Sequence, residues 1–438
     1  MTNLIAARCQ MGVSLGFHIV FAVIGVAMPL MMVMAEAHYA RSGDQTSLVL
    51  ARRWARGTAI LFTVGAVSGT VLSFELGLLW PRFMALAGAI FGWPFALEGF
   101  AFFTEAIFLG IYLFGWERLS RGMHLGAGVI VAISGALSSM FVVSANAWMN
   151  TPAGFTLIDG KPATVDPMAA MLNPAALSHG LHMTSAAYVA TGFLVAGIHA
   201  LGLLKEPTSV FHRRALAIAL IVGGLAAVTQ PISGDRAGEI VARYQPAKLA
   251  ALEGLFKTEK RAPLTIGGYV ETAQRRTVYG LRIPLLLSLI ALRDPNATVS
   301  GLDAFARQDW PPFLPLLHLS FDAMVGIGFL LLALTLWGVC SYWRTRQVPT
   351  SRGFLLALIC AAPLGMIAVE LGWIVTELGR QPWIIYGIMR TSSGVTPMPG
   401  LIAPFIAITL VYLLLMAVVI QQLWMMTIDS PRRTSELA

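Results

Sequence analysis

Carboxylates occur in apolar stretches of this chain, where a charge is costly. The segment 365–383, GMIAVELGWIVTELGRQPW, carries Glu370 near the middle of an apolar helix and breaks at Gly379 into the polar run GRQPW. A carboxylate at bilayer depth costs ~2.5 kcal/mol or more on insertion scales. A proton, a cationic partner or a metal ion would offset that cost. Glu370 is therefore a candidate functional residue.

Two further glutamates, Glu98 and Glu105, share another apolar run. Because they are seven residues apart, a helix places them on one face, two turns or ~10.5 Å from each other. Intramembrane acids usually mark ion or proton pathways, and structural pairing with a neighbouring helix is the alternative. Glu75 lies at the end of a different run, where we expect water to solvate it.

Imidazole and thioether side chains also occur in the apolar runs: His18, His179, His182, His318 and Met324. A single histidine or methionine on a membrane helix is more often a packing residue than a ligand. Under the topology given below, however, these residues and Glu370 fall toward the same end of the bundle. Imidazole, thioether and carboxylate groups are axial ligands of haem iron. The pattern favours a helical bundle that holds haem near one surface, with a proton path from the other.

The composition indicates an integral membrane protein. Of 438 residues, 57% are hydrophobic and only 12% are charged, with a mean hydropathy of +0.73. Arginines in membrane-flanking loops explain the net charge of +8 better than nucleic-acid binding does. Cys9, Cys340 and Cys360 are scattered, which favours neither disulfides nor a thiolate metal site. We expect no cleavable signal peptide, because the first apolar run is long and no small-residue cleavage site follows it.

Nine apolar runs approach the ~20 residues that a bilayer requires. We predict an all-α membrane protein with nine transmembrane helices at 13–35, 57–79, 94–115, 125–147, 180–204, 215–231, 313–342, 353–376 and 401–425.

The basic residues of the short connections predict which side of the membrane each connection faces. Lys and Arg are concentrated after the first, third, fifth, seventh and ninth runs, as in Arg52, Arg118, Arg214, Arg432 and Arg433. The positive-inside rule predicts that these connections are cytoplasmic, so that the N-terminus is outside and the C-terminus is inside. The segment 232–312 is then a long outer loop, and such a loop is usually functional or disordered. We find no fixed-period internal repeat, which gives an inverted-repeat transporter no support.

The chain resembles subunit I of the cytochrome bd-type quinol oxidases nearly end to end, and the resemblance leaves open whether it belongs to their cyanide-insensitive branch. GRQPW and the loop motif KLAALE are the strongest matches, because both are long and they lie far apart. The matching positions are Arg8, Gln10 and His18; 97–99 and 103–105; GWER at 115–118; ANAWM at 145–149; His182; Gly234 and Asp235; KLAALE at 248–253; Met324; Glu370, Gly372 and Trp373; and GRQPW at 379–383.

The resemblance implies a role for each matched residue. His182 and Met324 would be axial ligands of a low-spin haem b that takes electrons from quinol. His18 and Glu370 would serve a high-spin haem b and a third haem, either haem d or a further haem b, with Glu98 beside them. The implied cofactor-binding residues include Arg380, Gln381 and Trp383, and the implied iron ligands are His18, His182, Met324 and Glu370.

The resemblance also implies a reaction and partners. Lys248 and Glu253 would bind or deprotonate ubiquinol or menaquinol at the outer side, and Glu105 with Ser138 would lie on the proton path. Oxygen would be reduced to water with cytoplasmic protons, so that charge separates without a pump. The expected partners are subunit II, a small single-helix subunit and membrane lipid, in a bacterial inner membrane. By region, 1–231 would hold six helices, 232–312 the quinol-binding loop, and 313–438 the last three helices.

Two positions depart from the family pattern. Asp322 stands two residues before Met324, where many relatives have a basic residue, and this anion should lower the potential of the nearby haem. Met366 stands where many relatives have a tryptophan, which puts an aromatic stepping stone between haems in doubt. The alternative functions are a proton-coupled transporter, and a haem b anchor that passes electrons but does not react with oxygen.

Overall fold

The computed structural model describes residues 2–428, and the side-chain surroundings of residues 2–423. Arg432 and Arg433, used above for the orientation, lie outside the described residues. In this part of the chain, nine helical segments are long and apolar enough to cross a membrane, as the sequence predicts. The orientation remains a prediction, because length and apolar character do not distinguish the two sides.

The helices that form these segments extend beyond their apolar cores. They are α1 Asn3–Ser42, α2 Gln45–Leu79, α3 Pro81–Phe114, α4 Arg121–Asn150, α6 Ala176–Lys205, α7 Val210–Tyr244, α10 Leu314–Thr345, the pair α11 Arg352–Ala361 and α12 Leu364–Gly379, and α14 Ile402–Ile428. Four short helices lie between them: α5 Pro167–Met171, α8 Pro246–Leu252, α9 Leu286–Leu292 and α13 Thr391–Gly394.

Two predicted helix boundaries are wrong for the same reason. The sixth helix was expected to end at Pro231, but α7 continues to Tyr244, so Gly234 and Asp235 are helical. The third helix was expected to start at Pro94, but α3 begins at Pro81. Membrane helices tolerate proline because neighbouring helices and local adjustments satisfy the freed backbone groups. In contrast, the predicted helix end at Gly379 is confirmed, since α12 ends there.

The connections carry small antiparallel strand pairs. Between α4 and α5 lie β1 Phe155–Ile158 and β2 Lys161–Val165, and after α12 lie β9 Trp383–Ile385 and β10 Met389–Arg390. The loop between α7 and α10 contains β3 Glu259–Lys260 paired with β8 Thr298–Val299, β4 Leu264–Ile266 paired with β7 Leu281–Ile283, and β5 Tyr269–Glu271 paired with β6 Arg276–Val278. The loop is therefore ordered, with α8 at its start and 3₁₀ turns at Leu302–Ala304 and Arg307–Asp309 before α10.

The bundle core joins the helices that carry the candidate site. α1 packs on α2, α4, α6 and α14, whereas α6 packs on α7, α11 and α12, and α10 packs on α7 and α12. One apolar cluster includes Ile19 of α1, Ala187 of α6 and Val369 of α12, with Trp373 against it. His18, His182 and Glu370 are thus carried by three helices that pack together near these residues.

Candidate functional site

His18 is held on α1 by a serine of α2. Its Nδ1 atom lies 3.0 Å from the Ser68 hydroxyl oxygen. That hydroxyl donates to the carbonyls of Val64 and Gly65 in its own helix, at 2.9 and 3.1 Å. Because the serine proton is used there, Nδ1 must donate the hydrogen to Ser68, which leaves Nε2 with a free lone pair. An imidazole in this state is ready to ligate a metal.

His182 on α6 is held in the same way by α7. Its Nδ1 lies 3.0 Å from the Ser233 hydroxyl, which donates to the Gln230 carbonyl at 3.0 Å. The Gln230 amide nitrogen lies 3.3 Å from Nε2 of His182, a contact that metal ligation would replace. A Cβ atom placed on Gly234 would lie 3.3 Å from the imidazole Cε1, so glycine lets α7 approach the ring closely. The two predicted histidine ligands therefore share one hydrogen-bonding pattern.

Glu370 lies on α12, and Met324 of α10 packs against the same stretch of that helix. Glu370 lies opposite Gly16 of α1, where an added Cβ would be 3.4 Å from its Oε2. Met324 of α10 lies opposite Gly372 of α12, where an added Cβ would be 3.1 Å from the sulfur. Among the described residues, Glu370 Oε1 is buried without a hydrogen-bond partner. An orphaned buried oxygen requires an explanation, and a bound cation would supply its missing interaction.

These observations fit haem iron. Imidazoles with Nδ1 already engaged and a thioether are groups that ligate haem iron in proteins, and the orphaned carboxylate could interact with a bound cation. Four helices, α1, α6, α10 and α12, contribute one such donor each. Sequence reasoning missed the two serines, and a serine has no special signal within an apolar run.

Glu98 and Glu105 of α3 lie on one face of the helix, as their spacing predicts, and this face packs against α4. The Ser138 hydroxyl of α4 donates to Glu98 Oε1 at 3.2 Å. Glu105 is buried against Gly135, where an added Cβ would lie 3.2 Å from its Oε1. Ser138 was expected on the proton path together with Glu105, and its hydrogen bond goes to Glu98. The residues form one polar stripe across the interface of α3 and α4.

Glu75 is not solvated, so that expectation is wrong. Its side chain is buried at the interface of α1 and α2, where Gln10 and Ser14 each donate to its Oε1 at 2.9 Å. The apolar residues around Glu75 could have indicated that its side chain is buried. Its distance from water, however, depends on the position of α2 relative to the other helices, which the sequence does not give. Glu75 belongs with the buried polar residues of α1, which also carries His18.

Lys248 of the KLAALE motif is buried beside Gly379 of the GRQPW motif. A Cβ on Gly379 would lie 2.8 Å from Cε of Lys248, so a side chain at position 379 would force the buried lysine to shift. The ammonium group lies 3.5 Å from Asn150 Oδ1 and from the Thr376 carbonyl. Burial, together with the positive charge of Arg380, lowers the pKa of Lys248 to about 7. The lysine therefore sits near its titration point at neutral pH.

Glu377 joins three motifs and was missed in the sequence. Its Oε1 accepts from the Asn146 amide of the ANAWM motif at 2.5 Å. Its Oε2 pairs with Arg380, which is 1% exposed and also donates to the Ile384 carbonyl. Lys248 packs against Gly379 and interacts electrostatically with Glu377 and Arg380, so residues of three motifs that are far apart in the sequence meet at one place. The sequence places Glu377 on the same helical face as Glu370, two turns later, and this spacing could have identified it. Because Glu377 is close to the polar GRQPW run, it resembled a residue at the helix end.

Gln381 and Trp383 hold the chain that follows α12. Gln381 Oε1 accepts from the Thr391 hydroxyl at 2.7 Å. Trp383 lies in β9, with the guanidinium carbon of Arg390 4.6 Å from the centre of its ring. Arg380, Gln381 and Trp383 thus engage neighbouring protein groups, and their cofactor-binding role remains a prediction.

Glu253, the last residue of KLAALE, caps α8 and is 4% exposed. Burial raises the pKa of its carboxyl to about 8, and the negative charge of Asp322 acts in the same direction. A backbone hydrogen bond at Thr265 opposes the shift. The carboxyl is therefore mainly protonated at neutral pH, and it becomes a proton acceptor as the pH rises. Both loop residues expected to handle quinol titrate close to neutrality.

A family model described as cytochrome bd terminal oxidase subunit I matches residues 6–431. The bd oxidase structure from Geobacillus thermodenitrificans superposes with a TM-score of 0.91 at 38% sequence identity, covering 98% of this chain and 99% of that chain.

Two curated proteins that are similar in sequence are also named as subunit I of a cytochrome bd oxidase. A Bacillus subtilis (strain 168) protein provisionally named cytochrome bd menaquinol oxidase subunit I is 37% identical over 428 residues, covering 96% of this chain and 95% of that protein. Cytochrome bd ubiquinol oxidase subunit 1 from the same strain is 30% identical over 435 residues, covering 96% and 92%. These similarities extend over nearly the whole chain.

Proposed function

Since the chain belongs to the cytochrome bd terminal oxidase subunit I family, we propose that it oxidises quinol at the outer face of the membrane and passes the electrons to oxygen. It is a haem-binding oxidoreductase subunit and a multi-pass protein of the bacterial inner membrane. The observation that carries the proposal is the shared pattern at His18 and His182, in which a serine accepts a hydrogen bond from Nδ1, so that Nε2 carries no proton and can ligate a metal.

The family resemblance implies the ligand assignment, and the contacts of the two histidines support it. His182 and Met324 would hold a low-spin haem b, and His18 and Glu370 would serve a high-spin haem b and a third haem of d or b type, with Glu98 nearby. When bound, haem supplies the iron that takes up single electrons and reduces oxygen. The chain would supply the ligands and fix the tautomers of the two histidines through Ser68 and Ser233.

Quinol would bind where α8 meets the end of α12. A quinol must lose two protons and two electrons to become a quinone. Glu253 accepts a proton once its carboxyl is ionised, which its pKa of about 8 allows near neutrality. Lys248, with a pKa of about 7, would hold a quinol oxygen as a cation or accept a proton as an amine. Arg380, Gln381 and Trp383 would keep the neighbouring chain in place, close to the cofactor.

Protons for water formation would come from the opposite side through the interface of α3 and α4. Glu105 would pass a proton to Glu98, and Ser138 would orient the Glu98 carboxyl through its 3.2 Å hydrogen bond. Oxidation of two quinols yields the four electrons that convert one oxygen molecule and four protons into two waters. If protons are released outside and taken up inside, charge separates across the membrane without a pump.

We assign a different role to each region of the chain and to its partner subunits. Residues 1–231 would carry high-spin haem and proton-path residues, 232–312 the quinol loop, although α7 extends to Tyr244, and 313–438 the last helices with the GRQPW motif. The chain works with partner subunits, and we propose subunit II and a small single-helix subunit. The substrate would be ubiquinol or menaquinol, both of which occur in the names of relatives.

Carbon monoxide binding by the purified, reduced complex tests the proposal together with quinol-dependent oxygen uptake. We expect a spectral shift on addition of carbon monoxide, as for a haem that can react with oxygen, and oxygen consumption that requires quinol. A haem spectrum without a shift would favour an electron-passing anchor. A colourless, fully assembled complex would favour a transporter and would overturn the proposal.

A further inference from the structure

His318 of α10 connects two separate parts of the loop. It is fully buried, with 0% exposure. Its Nδ1 lies 2.6 Å from the Leu252 carbonyl at the end of α8, and its Nε2 lies 3.1 Å from the Gly267 carbonyl between β4 and β5. Both contacts join the membrane helix to the loop, and Leu252 is bonded directly to Glu253.

Both contacts require His318 to be the donor. Carbonyl oxygens only accept hydrogen bonds, and a neutral imidazole has a single N–H. The ring serves both carbonyls only when it carries two protons, and it is then a cation. Asp322, one turn later on α10, places Oδ2 3.5 Å from Nε2 and supplies the opposite charge. The other acid in this neighbourhood is Glu253, whose carboxyl is influenced by Asp322.

Both the backbone N–H and the carbonyl of Gly267 are hydrogen-bonded to side chains of α10. Its N–H donates to Asp322 Oδ2 at 2.7 Å, and its carbonyl accepts from His318. Its φ of 66° lies in the left-handed region, which glycine enters without steric cost. Two side chains one helical turn apart thus hold one residue of the loop, and the same histidine holds the residue before Glu253.

We propose that His318 is a positioning residue for quinol oxidation: through Leu252 it fixes the peptide that carries Glu253, and through Gly267 it fixes the β4–β5 turn. The inference rests on the proposed function of Glu253. It goes beyond that function because His318 does not belong to any motif that led to the quinol site. His318 would act on substrate binding through Glu253, without touching quinol itself.

Three substitutions separate the two hydrogen bonds. In His318→Asn the amide nitrogen is as many bonds from Cβ as Nδ1, so this variant retains a donor toward Leu252. In His318→Gln the amide nitrogen matches Nε2 and retains a donor toward Gly267. His318→Leu removes both donors. His199→Asn is the control, because His199 is also a buried histidine of a membrane helix but pairs with His212, away from the loop.

The measurement is steady-state oxygen uptake by the complete complex with short-chain ubiquinol and menaquinol analogues, alongside haem content and uptake with an artificial one-electron donor. We expect His318→Leu and His318→Gln to raise the KM for quinol about tenfold, as loss of one buried hydrogen bond allows. His318→Asn and the His199 control should stay close to the wild-type KM. Haem content and uptake with the artificial donor should not change.

Two results would overturn the inference: a wild-type KM in both His318→Gln and His318→Leu, or a His318→Asn variant as defective as His318→Gln. If His318→Leu does not assemble, the comparison of the Asn and Gln variants still decides. Failure of the proposed function has a different signature, since the wild-type complex would then consume no oxygen with either quinol.

Discussion

Replacing Ser68 with alanine tests the haem assignment at His18 without altering any ligand. In the wild type, Ser68 accepts from Nδ1 at 3.0 Å and is fully buried. In the variant, the Nδ1–H would lose its hydroxyl acceptor, and a buried donor that loses its partner costs up to ~1–3 kcal/mol. The ring can avoid this cost by moving its proton to Nε2, but Nε2 then cannot bind iron. Either outcome weakens ligation.

The expected loss of haem affinity is about ten- to a hundredfold, the range found when a group that hydrogen-bonds a ligand histidine is removed. The assay is the haem-to-protein ratio of the purified complex by pyridine haemochrome, followed by the rate at which a haem-free globin extracts haem. Reduced-minus-oxidised spectra identify the haem that is lost. We expect the loss to be confined to one haem.

Ser73→Ala is the matched control for this experiment. Ser73 lies on the same helix and donates to the carbonyl four residues earlier at 3.1 Å, but its side chain is exposed. Loss of that local hydrogen bond should leave haem content unchanged. If Ser68→Ala and Ser73→Ala retain haem equally well, Ser68 does not fix the tautomer, and the case for His18 as an iron ligand loses its structural support.

Four further substitutions test the other parts of the site. Met324→Leu should abolish the low-spin haem signal because it would remove the proposed thioether ligand, and an unchanged reduced-minus-oxidised spectrum would exclude Met324 as a ligand. Glu253→Gln should remove a rise in quinol kcat/KM as the pH increases through about 8, where the wild-type carboxyl ionises; an identical pH profile in both proteins would contradict the proton-acceptor role. Glu105→Gln should slow oxygen uptake without loss of haem, and normal uptake would show that protons have another route. Gly379→Ala should raise the KM for quinol several-fold, because the new Cβ would lie 2.8 Å from Lys248 Cε and such overpacking typically costs ~1–3 kcal/mol; a wild-type KM would show that Lys248 moves aside freely.

The sequence by itself determined the membrane class, the nine spans and the residues with unusual chemistry. Apolar runs of sufficient length specify membrane helices because hydrocarbon leaves the backbone no other partners. Glu370, Glu98 and Glu105 were recognisable for a related reason, since an acid within such a run is costly and requires a function or a partner. These are local properties, and local composition is sufficient to predict them.

Only the tertiary structure decided which residues meet across helices. The serine partners of His18 and His182, the burial of Glu75, and the contact of Glu377 with Asn146 depend on helix rotation and spacing. Proline gave a misleading end for the sixth helix, because the backbone groups it frees can be satisfied by tertiary contacts. Periodicity gives the face on which a residue lies, but only close packing, here permitted by glycines such as Gly379, determines what that face touches.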